Sequence, residues 1–342
     1  MGVERRIRNA GTSRRPGVAR HHAASSSVVL ARSARTRPLR GSACGGPRPR
    51  RSAAGRPPTG SQPVSQSVFR EGLFDGQVAL ITGGGSGIGR GIADVLASLG
   101  AHVVLASRKL ERVEAAAMEI RADGRKASAV AVDVREPERV QSAVADIQRA
   151  HGRIDLLVNN AAGNFYAPSE SLSPNAWKSV IEIDLYGTFF CSQAVLPVMR
   201  AQGGGSIVNI SMTLHYRGWP LMAHATAAKA GIDALTRTLA LEWARDRVRI
   251  NAIAPGPIPT EGVKKAFAPP PSADGVVDVF AQERAMESYA KKMIPLQRFG
   301  TPEDIAQMVA FLASPAGAWI TGAIMVVDGG EWLAKPPMPS PR

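Results

Sequence analysis

The feature that most constrains the fold is a regular alternation of short apolar segments with amphipathic helical stretches, which begins near Phe74. The apolar segments are typical of strands that are buried on both faces, and helices between such strands indicate a parallel sheet with two covered faces. We therefore predict an α/β fold with one doubly wound, seven-stranded parallel sheet in a single domain. The predicted strands are Val78–Thr82, Val103–Leu105, Ala129–Val132, Leu156–Val158, Ser206–Ile210, Ile250–Ile253 and Ile324–Val327. The predicted helices are Ile88–Leu99, Leu110–Ala122, Pro137–Ala150, Pro174–Arg200, Ala223–Ala244 and Pro302–Leu312.

The net positive charge of the chain comes entirely from its first seventy residues. The net charge is +14, and residues 1–70 hold fifteen arginines against a single acid, Glu4, so the remainder is neutral. This segment is rich in Arg, Ser, Gly, Pro and Ala, and such a composition cannot bury enough surface to offset chain entropy. We predict a disordered tail over residues 1–71, a catalytic domain over 72–335 and a flexible end over 336–342.

Three interpretations of the arginine-rich tail stay open, of which an extension without a role is favoured. An organelle transit peptide is the second, although proline and glycine disfavour an amphipathic helix. Nucleic-acid binding is the third and is not expected, because no aromatic residues are interleaved with the arginines to stack on bases. We expect a cytoplasmic location, or a mitochondrial one if the tail is a transit peptide.

Cysteine content and hydropathy exclude several classes of protein. The two cysteines, Cys44 and Cys191, cannot form a disulfide framework or a multi-cysteine metal site, and we predict no metal. No apolar run approaches the roughly 18 residues that a membrane span requires, so no membrane span is expected.

A glycine-rich segment follows the first strand and opens the first helix. Glycines at such a position let the backbone turn tightly and approach a pyrophosphate, whose charge the helix N-terminus stabilises. The Thr-Gly-x-x-x-Gly-x-Gly spacing, between a strand and a helix, makes this signal strong. The residues predicted to hold a dinucleotide here are Thr82, Gly83, Ser86, Gly87, Ile88 and Gly89.

The end of the second strand predicts which dinucleotide is bound. An acid at this position binds the ribose 2′-hydroxyl of NAD, whereas arginine accommodates the 2′-phosphate of NADP. The chain has Ser107, Arg108 and Lys109 there and no acid, which favours NADPH as the cofactor.

A long connection over about residues 259–298 is the one irregular stretch of the predicted domain. It includes the run Pro269-Pro270-Pro271 and then becomes acidic and helical. Long loops in compact domains are usually functional, so we predict that this connection forms a lid over the substrate.

These motifs resemble the short-chain dehydrogenase/reductase family over about residues 72–333. The resemblance rests on the glycine-rich segment, on the Asn159-Asn160-Ala161-Ala162-Gly163 turn, on Lys229 and on Pro255-Gly256. It implies a Rossmann-type domain and a homotetramer. It also implies that Asp133 and Val134 lie near the adenine, that Lys229 binds the nicotinamide ribose, and that further contacts come from Asn160, Ala161, Ala162, Pro255, Gly256 and Ile258.

The catalytic residues of that family are changed in this chain. The tyrosine expected four residues before Lys229 is Ala225, and the expected serine position holds Met212, with Ser211 beside it. The expected helix asparagine is Asp184. A carbonyl reductase needs an acid at the reacting oxygen, so these changes disfavour the interconversion of alcohols and ketones.

In these changed positions the chain resembles one branch of the family, the 2,4-dienoyl-CoA reductases of the peroxisomal type. The resemblance implies NADPH-dependent reduction of a 2,4-dienoyl-CoA thioester to a 3-enoyl-CoA, an auxiliary step of unsaturated fatty-acid oxidation. A trans-2-enoyl-CoA reductase and an inactive NADP-binding family member are the alternatives. The resemblance places Asp184, Lys229 and Asp328 in catalysis, and assigns Asn164, Phe165 and Arg217 to the acyl-CoA substrate.

Several assignments near the catalytic centre have competing interpretations. Asp328 belongs to an Asp-Gly-Gly turn that is common in members with other chemistry, so a structural role is the alternative. His224 is one residue before Ala225, about 100° around the helix, and is expected to face elsewhere. His215 and Tyr216 are weaker proton-donor candidates, and Ser211 can serve simply to complete a strand end.

Overall fold

The computed structural model describes residues 68–260, 263–264 and 279–334. The predicted tail lies outside the described residues except for positions 68–71, and the predicted flexible end, 336–342, lies entirely outside them. Of the predicted lid, the stretch 265–278 and residues 261 and 262 are likewise not described.

A single seven-stranded parallel sheet forms the centre of the described residues, as the sequence predicts. Its strand order is β3-β2-β1-β4-β5-β6-β7, and every neighbouring pair is parallel. The order reverses between β1 and β4, which is the position where Rossmann-type folds bind nucleotides. The strands are β1 Val78–Thr82, β2 His102–Ser107, β3 Ala127–Ala131, β4 Leu156–Asn159, β5 Gly205–Ile210, β6 Val248–Pro255 and β7 Ile324–Val327.

Helices cover both faces of the sheet. They are α1 Gly87–Ser98, α2 Leu110–Ala122, α3 Pro137–His151, α4 Pro174–Ile181, α5 Gly187–Ala201, α6 Ala223–Trp243, α7 Val279–Met293 and α8 Pro302–Ala313. Among the described residues, no helix is both long enough and apolar enough to cross a membrane.

Alternating residues of strands β1 to β6 contribute to two separate cores. In β1, Ala79 and Ile81 pack with α1, α2 and α8, whereas Val78 and Leu80 pack with α3, α5 and α6. Because successive strand residues point to opposite faces, an apolar run of this kind satisfies both layers at once.

The predicted helix Pro174–Arg200 is one helical segment, but it is not α-helical throughout. Between α4 and α5 the chain makes one π-helical turn, Glu182–Tyr186, in which Asp184 is buried. A π-turn is uncommon, and such turns occur often at functional sites. Hydropathy periodicity did not reveal it, because the phase shift from one extra residue is difficult to recognise beside a helix of only 8 residues.

Candidate active site

A cleft of about 730 Å³ opens at the carboxyl ends of strands β1 to β6. Side chains and backbone from six different strand ends meet there because the carboxyl ends of parallel strands share one edge of the sheet. Most of the predicted site residues line this cleft. They are Gly83, Ser86, Gly87, Ile88, Ser107, Arg108, Asp133, Val134, Asn160, Ala161, Ala162, Asn164, Asp184, Lys229, Pro255, Gly256 and Ile258.

The glycine-rich turn between β1 and α1 forms one end of the cleft. Gly83 and Gly87 adopt left-handed backbone conformations, with φ of 68° and 55°. A Cβ at Gly89 would lie 2.5 Å from the Asn160 side-chain nitrogen, so no larger residue fits there. Ser86 makes no side-chain cap at the start of α1. The first backbone N–H groups of the helix are therefore not used by a side-chain cap, which suits a bound pyrophosphate.

Thr82 does not line the cleft but fixes its shape. Its hydroxyl accepts hydrogen bonds from the backbone N–H groups of Asn160 and Ala161, each at 3.0 Å. The same hydroxyl donates to the Val158 carbonyl at 3.3 Å. Thr82 thus joins the loop after β4 to the end of β1. Thr82 and Gly89 do not line the cleft themselves but support residues that do.

The ribose end of the cleft carries positive charge. Ser107 and Arg108 line it as predicted, Lys109 does not, and Arg112, which sequence reasoning missed, does. The nearby acid, Asp133, is held by Arg135 through a bidentate pair with contacts of 2.6 to 3.1 Å. Those hydrogen bonds lower the pKa of Asp133, with a smaller contribution from Arg108.

A buried ion pair lies at the centre of the cleft. The Lys229 ammonium donates to the Ile210 carbonyl at 2.8 Å and lies 3.4 Å from Asp184 Oδ2. The other carboxylate oxygen, Asp184 Oδ1, accepts from the Gly163 N–H at 2.7 Å. Asp184 is only 1% exposed. One oxygen of this carboxylate therefore accepts a backbone hydrogen bond, and the other faces the Lys229 ammonium as an ion pair.

Apolar side chains surround the position from which the missing phenol would project. Ala225 lines the cleft and is buried with Val180 and Met222. Met212, Leu214 and Trp219 pack against this small cluster. No hydroxyl replaces the tyrosine within it, so this wall of the cleft provides contact area rather than an acid.

Asp328 does not line the main cleft. Its two carboxylate oxygens accept from the backbone N–H groups of Gly330 and Trp332, each at 2.8 Å. It lines a neighbouring crevice of about 140 Å³ that shares Gly256 and Ile258 with the main cleft. The turn-forming role is thus visible in the hydrogen bonds, whereas a part in proton transfer stays a prediction.

The three residues predicted to bind substrate lie in different surroundings, and only Asn164 lines the cleft. Asn164 lines the cleft, and its amide lies 3.3 Å from the Met222 sulfur, a weak acceptor. Phe165 is partly exposed outside the cleft lining, and its ring packs on that of His224 at 4.4 Å between centroids. Arg217 lies on the surface, where it donates to the Ala334 carbonyl at 3.0 Å.

His224 does not line the cleft. Its ring is fully buried, and burial lowers its pKa, while Asp184 and, more weakly, the Phe165 backbone act in the opposite direction. The ring nitrogens make no hydrogen bond of normal geometry among the described residues.

A second buried carboxylate was missed by the sequence analysis. Asp233, on α6 and 3% exposed, accepts hydrogen bonds from Ser211, His215 and Tyr216. Its spacing from Lys229, four residues along one helix, could have revealed it, because an acid on an apolar helix face requires partners. The other cleft-lining residues that the sequence did not single out include Ile183, Val263 and Lys264.

Comparison with known proteins agrees with this geometry. A family model described as enoyl-(acyl carrier protein) reductase matches residues 83–331. A Danio rerio protein named peroxisomal 2,4-dienoyl-CoA reductase, (3E)-enoyl-CoA-producing, is 46% identical over 270 residues, 78% of this chain and 85% of the relative. A Bacillus subtilis protein named probable 2,4-dienoyl-CoA reductase, (2E)-enoyl-CoA-producing, is 41% identical, with coverage of 75% and 97%.

A solved structure of similar fold comes from Pseudomonas aeruginosa PAO1. It is titled citronellol catabolism dehydrogenase, is 39% identical, and superposes with a TM-score of 0.66 over 78% of this chain and 99% of that one.

The sheet and its glycine-rich cleft define a Rossmann-type oxidoreductase that takes a nicotinamide nucleotide. The chain belongs to the short-chain dehydrogenase/reductase family. The cofactor fits the cradle, because Gly83, Gly87 and Gly89 leave the backbone open where a pyrophosphate must approach.

Proposed function

We propose that the protein is an NADPH-dependent 2,4-dienoyl-CoA reductase that forms a 3-enoyl-CoA. The observation that carries the proposal is the replacement of the reacting-site phenol by Ala225, buried among apolar side chains, beside an intact Lys229 that is paired with Asp184. Such a wall supports reduction at carbon, in which no alcohol oxygen needs a proton. The names of the Danio rerio and Bacillus subtilis relatives support the same substrate class.

The bound dihydronicotinamide would supply a hydride, which adds to C5 of the dienoyl thioester and leaves an extended enolate. The protein must then stabilise charge at the thioester oxygen. We assign this task to hydrogen-bond donors on the cleft wall, with the Asn164 amide as the first candidate because its present acceptor is only a thioether. Asp184 would hold the Lys229 ammonium against the ribose and the reacting region.

The preference for NADPH is proposed on the charge at the ribose end. Arg108 and Arg112 line that part of the cleft, and the one nearby acid, Asp133, is neutralised by Arg135. Arg108→Ala should raise the KM for NADPH about tenfold or more and leave that for NADH within twofold. Arg139→Ala, an exposed arginine of α3, is the matched control. Equal effects on both nucleotides would contradict the assignment.

One set of assays tests the reaction itself. NADPH oxidation is followed with 2,4-hexadienoyl-CoA, with crotonyl-CoA and with a simple ketone. Turnover of the dienoyl thioester alone supports the proposal, and turnover of crotonyl-CoA indicates an enoyl-CoA reductase. Reduction of the ketone would refute the argument from Ala225. Binding of NADPH without any turnover indicates an inactive nucleotide-binding member.

The roles of the two carboxylates are tested separately. Asp184→Asn should lower kcat for the dienoyl substrate at least tenfold with NADPH affinity retained, since the ammonium of Lys229 loses its counter-ion. Asp328→Asn keeps one acceptor for the turn. A loss of kcat at unchanged thermal stability would support a part for Asp328 in catalysis, whereas a loss of stability alone supports the turn-forming role.

Location and assembly remain predictions of the sequence. The Danio rerio relative is named peroxisomal, which disagrees with the expected cytoplasmic location. Imaging of the tagged full chain decides between these compartments and the mitochondrion, and light scattering tests the predicted homotetramer.

A further inference from the structure

A buried acid near the end of the described residues has no part in the proposed reaction. Glu331 directly follows the Asp328-Gly329-Gly330 turn and is only 2% exposed. A carboxylate that is removed from water in this way requires a hydrogen-bond donor or an opposite charge. The donor that binds Glu331 therefore indicates what the residue does.

That donor belongs to helix α7, which is part of the predicted lid. The Tyr289 hydroxyl donates to Glu331 Oε1 at 2.5 Å. Burial raises the pKa of Tyr289, and the hydrogen bond to Glu331 and the charge of its carboxylate raise it further. The phenol therefore keeps its proton and stays a donor. A hydrogen bond to a carboxylate is stronger than one between two neutral groups.

The chain directly after α7 is attached to the turn that precedes Glu331. The Leu296 N–H donates to the Gly329 carbonyl at 3.1 Å. A Cβ at Gly329 would lie 2.8 Å from Ile294 Cγ2, so the two segments are in close contact. This backbone attachment holds the end of the lid segment, whereas the Tyr289 side chain holds the helix itself.

The segment that carries Glu331 is also attached to the loop after β5. The Arg217 guanidinium donates to the Ala334 carbonyl at 3.0 Å. The rings of Tyr216 and Trp332 meet edge to face, with centroids 5.5 Å apart. Residues 331–334 therefore link α7 to the loop that carries Arg217, one of the residues predicted to bind substrate.

Tyr289 is also close to two loops with predicted substrate residues. Besides burial and Glu331, Arg217 acts on the pKa of Tyr289 in the lowering direction, and Tyr166 acts weakly in the raising direction. Such effects between charges fade over a distance of about 10 Å. The phenol thus lies near the loop after β5, which carries Arg217, and the loop after β4, where Tyr166 follows Phe165.

We propose that Tyr289 and Glu331 form a positioning pair, which holds α7 against the loops that carry the predicted substrate residues Phe165 and Arg217. The inference rests on the proposed function and adds to it the residues that organise the acyl-CoA side. Neither member of the pair lines the cleft, so the pair acts through the position of α7. Because the helix is already in place when the thioester arrives, binding does not have to order it.

Three variants test the pair in the full-length protein with 2,4-hexadienoyl-CoA and NADPH. Tyr289→Phe should raise the KM for the thioester roughly tenfold, the usual order of effect when a buried acceptor loses its donor. The kcat and the affinity for NADPH should stay within about twofold, because the reacting region keeps its own contacts.

The two other variants separate the hydrogen bond from the charge and from the helix surface. Glu331→Gln retains an acceptor oxygen for Tyr289 and leaves no buried charge, so its KM should stay within about twofold of the unaltered value. Glu287→Gln is the matched control on α7, because Glu287 is exposed and pairs with Lys291 at 2.5 Å. It should change none of the three constants by more than about twofold.

Amide hydrogen exchange of the apoprotein gives a measurement without turnover. In Tyr289→Phe the amides of α7 should exchange roughly tenfold faster, whereas those of α2, which packs on β2 and β3, should keep their rates. Unchanged exchange in α7 would show that the pair does not hold the helix. Faster exchange with an unchanged KM would show that α7 does not serve substrate binding.

Two further outcomes are distinct from these. Equal losses in KM, kcat and NADPH affinity would indicate general destabilisation and would overturn the positioning role. Absence of activity of the unaltered protein with any dienoyl thioester contradicts the proposed function, while the exchange rates still decide whether Tyr289 and Glu331 hold α7.

Discussion

Removal of one partner from the buried Asp184–Lys229 ion pair should lower the free energy of unfolding strongly. Removal of one partner from an exposed ion pair with a similar N–O distance should lower it far less. At 3.4 Å and an effective dielectric constant of about 20, the gross attraction is about 5 kcal/mol. Because both side chains are at least nine-tenths buried, loss of one partner leaves a buried charge, a change that typically costs 3–5 kcal/mol.

Asp184→Asn is expected near the lower end of that range, about 3 kcal/mol. The asparagine carbonyl can still accept from the Gly163 N–H, so one of the two contacts survives. Lys229→Met should cost a similar amount. The double variant should cost less than the sum of the two by about 2 kcal/mol, since neither charge is then left alone.

The chain offers a matched control pair. Lys178 and Glu182 lie 3.5 Å apart but have side chains that are 70% and 28% exposed. Their coupling should be below about 1 kcal/mol, because solvent screens the pair. Urea unfolding of the apoprotein at pH 7, on all single and double variants, gives both coupling free energies. Equal couplings for the buried and the exposed pair would refute the reasoning.

Three further substitutions, in other parts of the structure, have predicted effects. Burial, with a smaller effect of His151, lowers the pKa of His102 to about 4, so unfolding takes up a proton between about pH 6.5 and 4. Stability should therefore fall by up to about 2 kcal/mol as the pH drops through that window, and His102→Phe should flatten this dependence in urea midpoints measured from pH 4 to 7. A Cβ at Gly256 would lie 2.6 Å from Asp328 Cβ, so Gly256→Ala should cost about 1–3 kcal/mol in thermal unfolding and weaken NADPH binding; full retention of both would contradict the close packing. The Arg249 guanidinium donates to the last two carbonyls of α8 and to that of Gly317, so Arg249→Met should cost about 2 kcal/mol in urea unfolding, and a change below about 0.5 kcal/mol would show that water replaces those bonds.

The sequence was sufficient for the sheet and for most of the cofactor cleft. Strand burial and the glycine spacing are local properties, and the residues they indicated, such as Gly83, Gly87 and the segment Asn160–Ala162, do line the cleft, whereas Gly89 does not. The relation of Ala225 to Lys229 was also readable, because four residues on a helix define one face.

The contacts between distant segments could not be predicted in the same way. The pairing of Asp184 with Lys229 depends on a π-turn that periodicity does not reveal. Arg112 enters the cleft because α2 begins at Leu110, and helix starts are the least certain part of a sequence-based prediction. The hydrogen bonds that Asp328 accepts from its own turn are, by contrast, typical of aspartate. A structural role for Asp328 could therefore be predicted from the sequence as the alternative to catalysis.

The π-turn at Glu182–Tyr186 also limits how this active site can be altered. The wider turn takes up one residue more than an α-helical turn, so a residue removed there would restore the ordinary helical pitch and leave the buried faces of α4 and α5 close to their present register. The loss would be the wider turn itself, and with it the position of the Asp184 carboxylate beside Lys229. That carboxylate is thus tied to the length of its segment as well as to its identity, so conversion to or from this site requires an insertion or a deletion in addition to substitutions. In a scan of single-residue deletions, proteins shortened within 182–186 should still fold but lose activity with the dienoyl substrate.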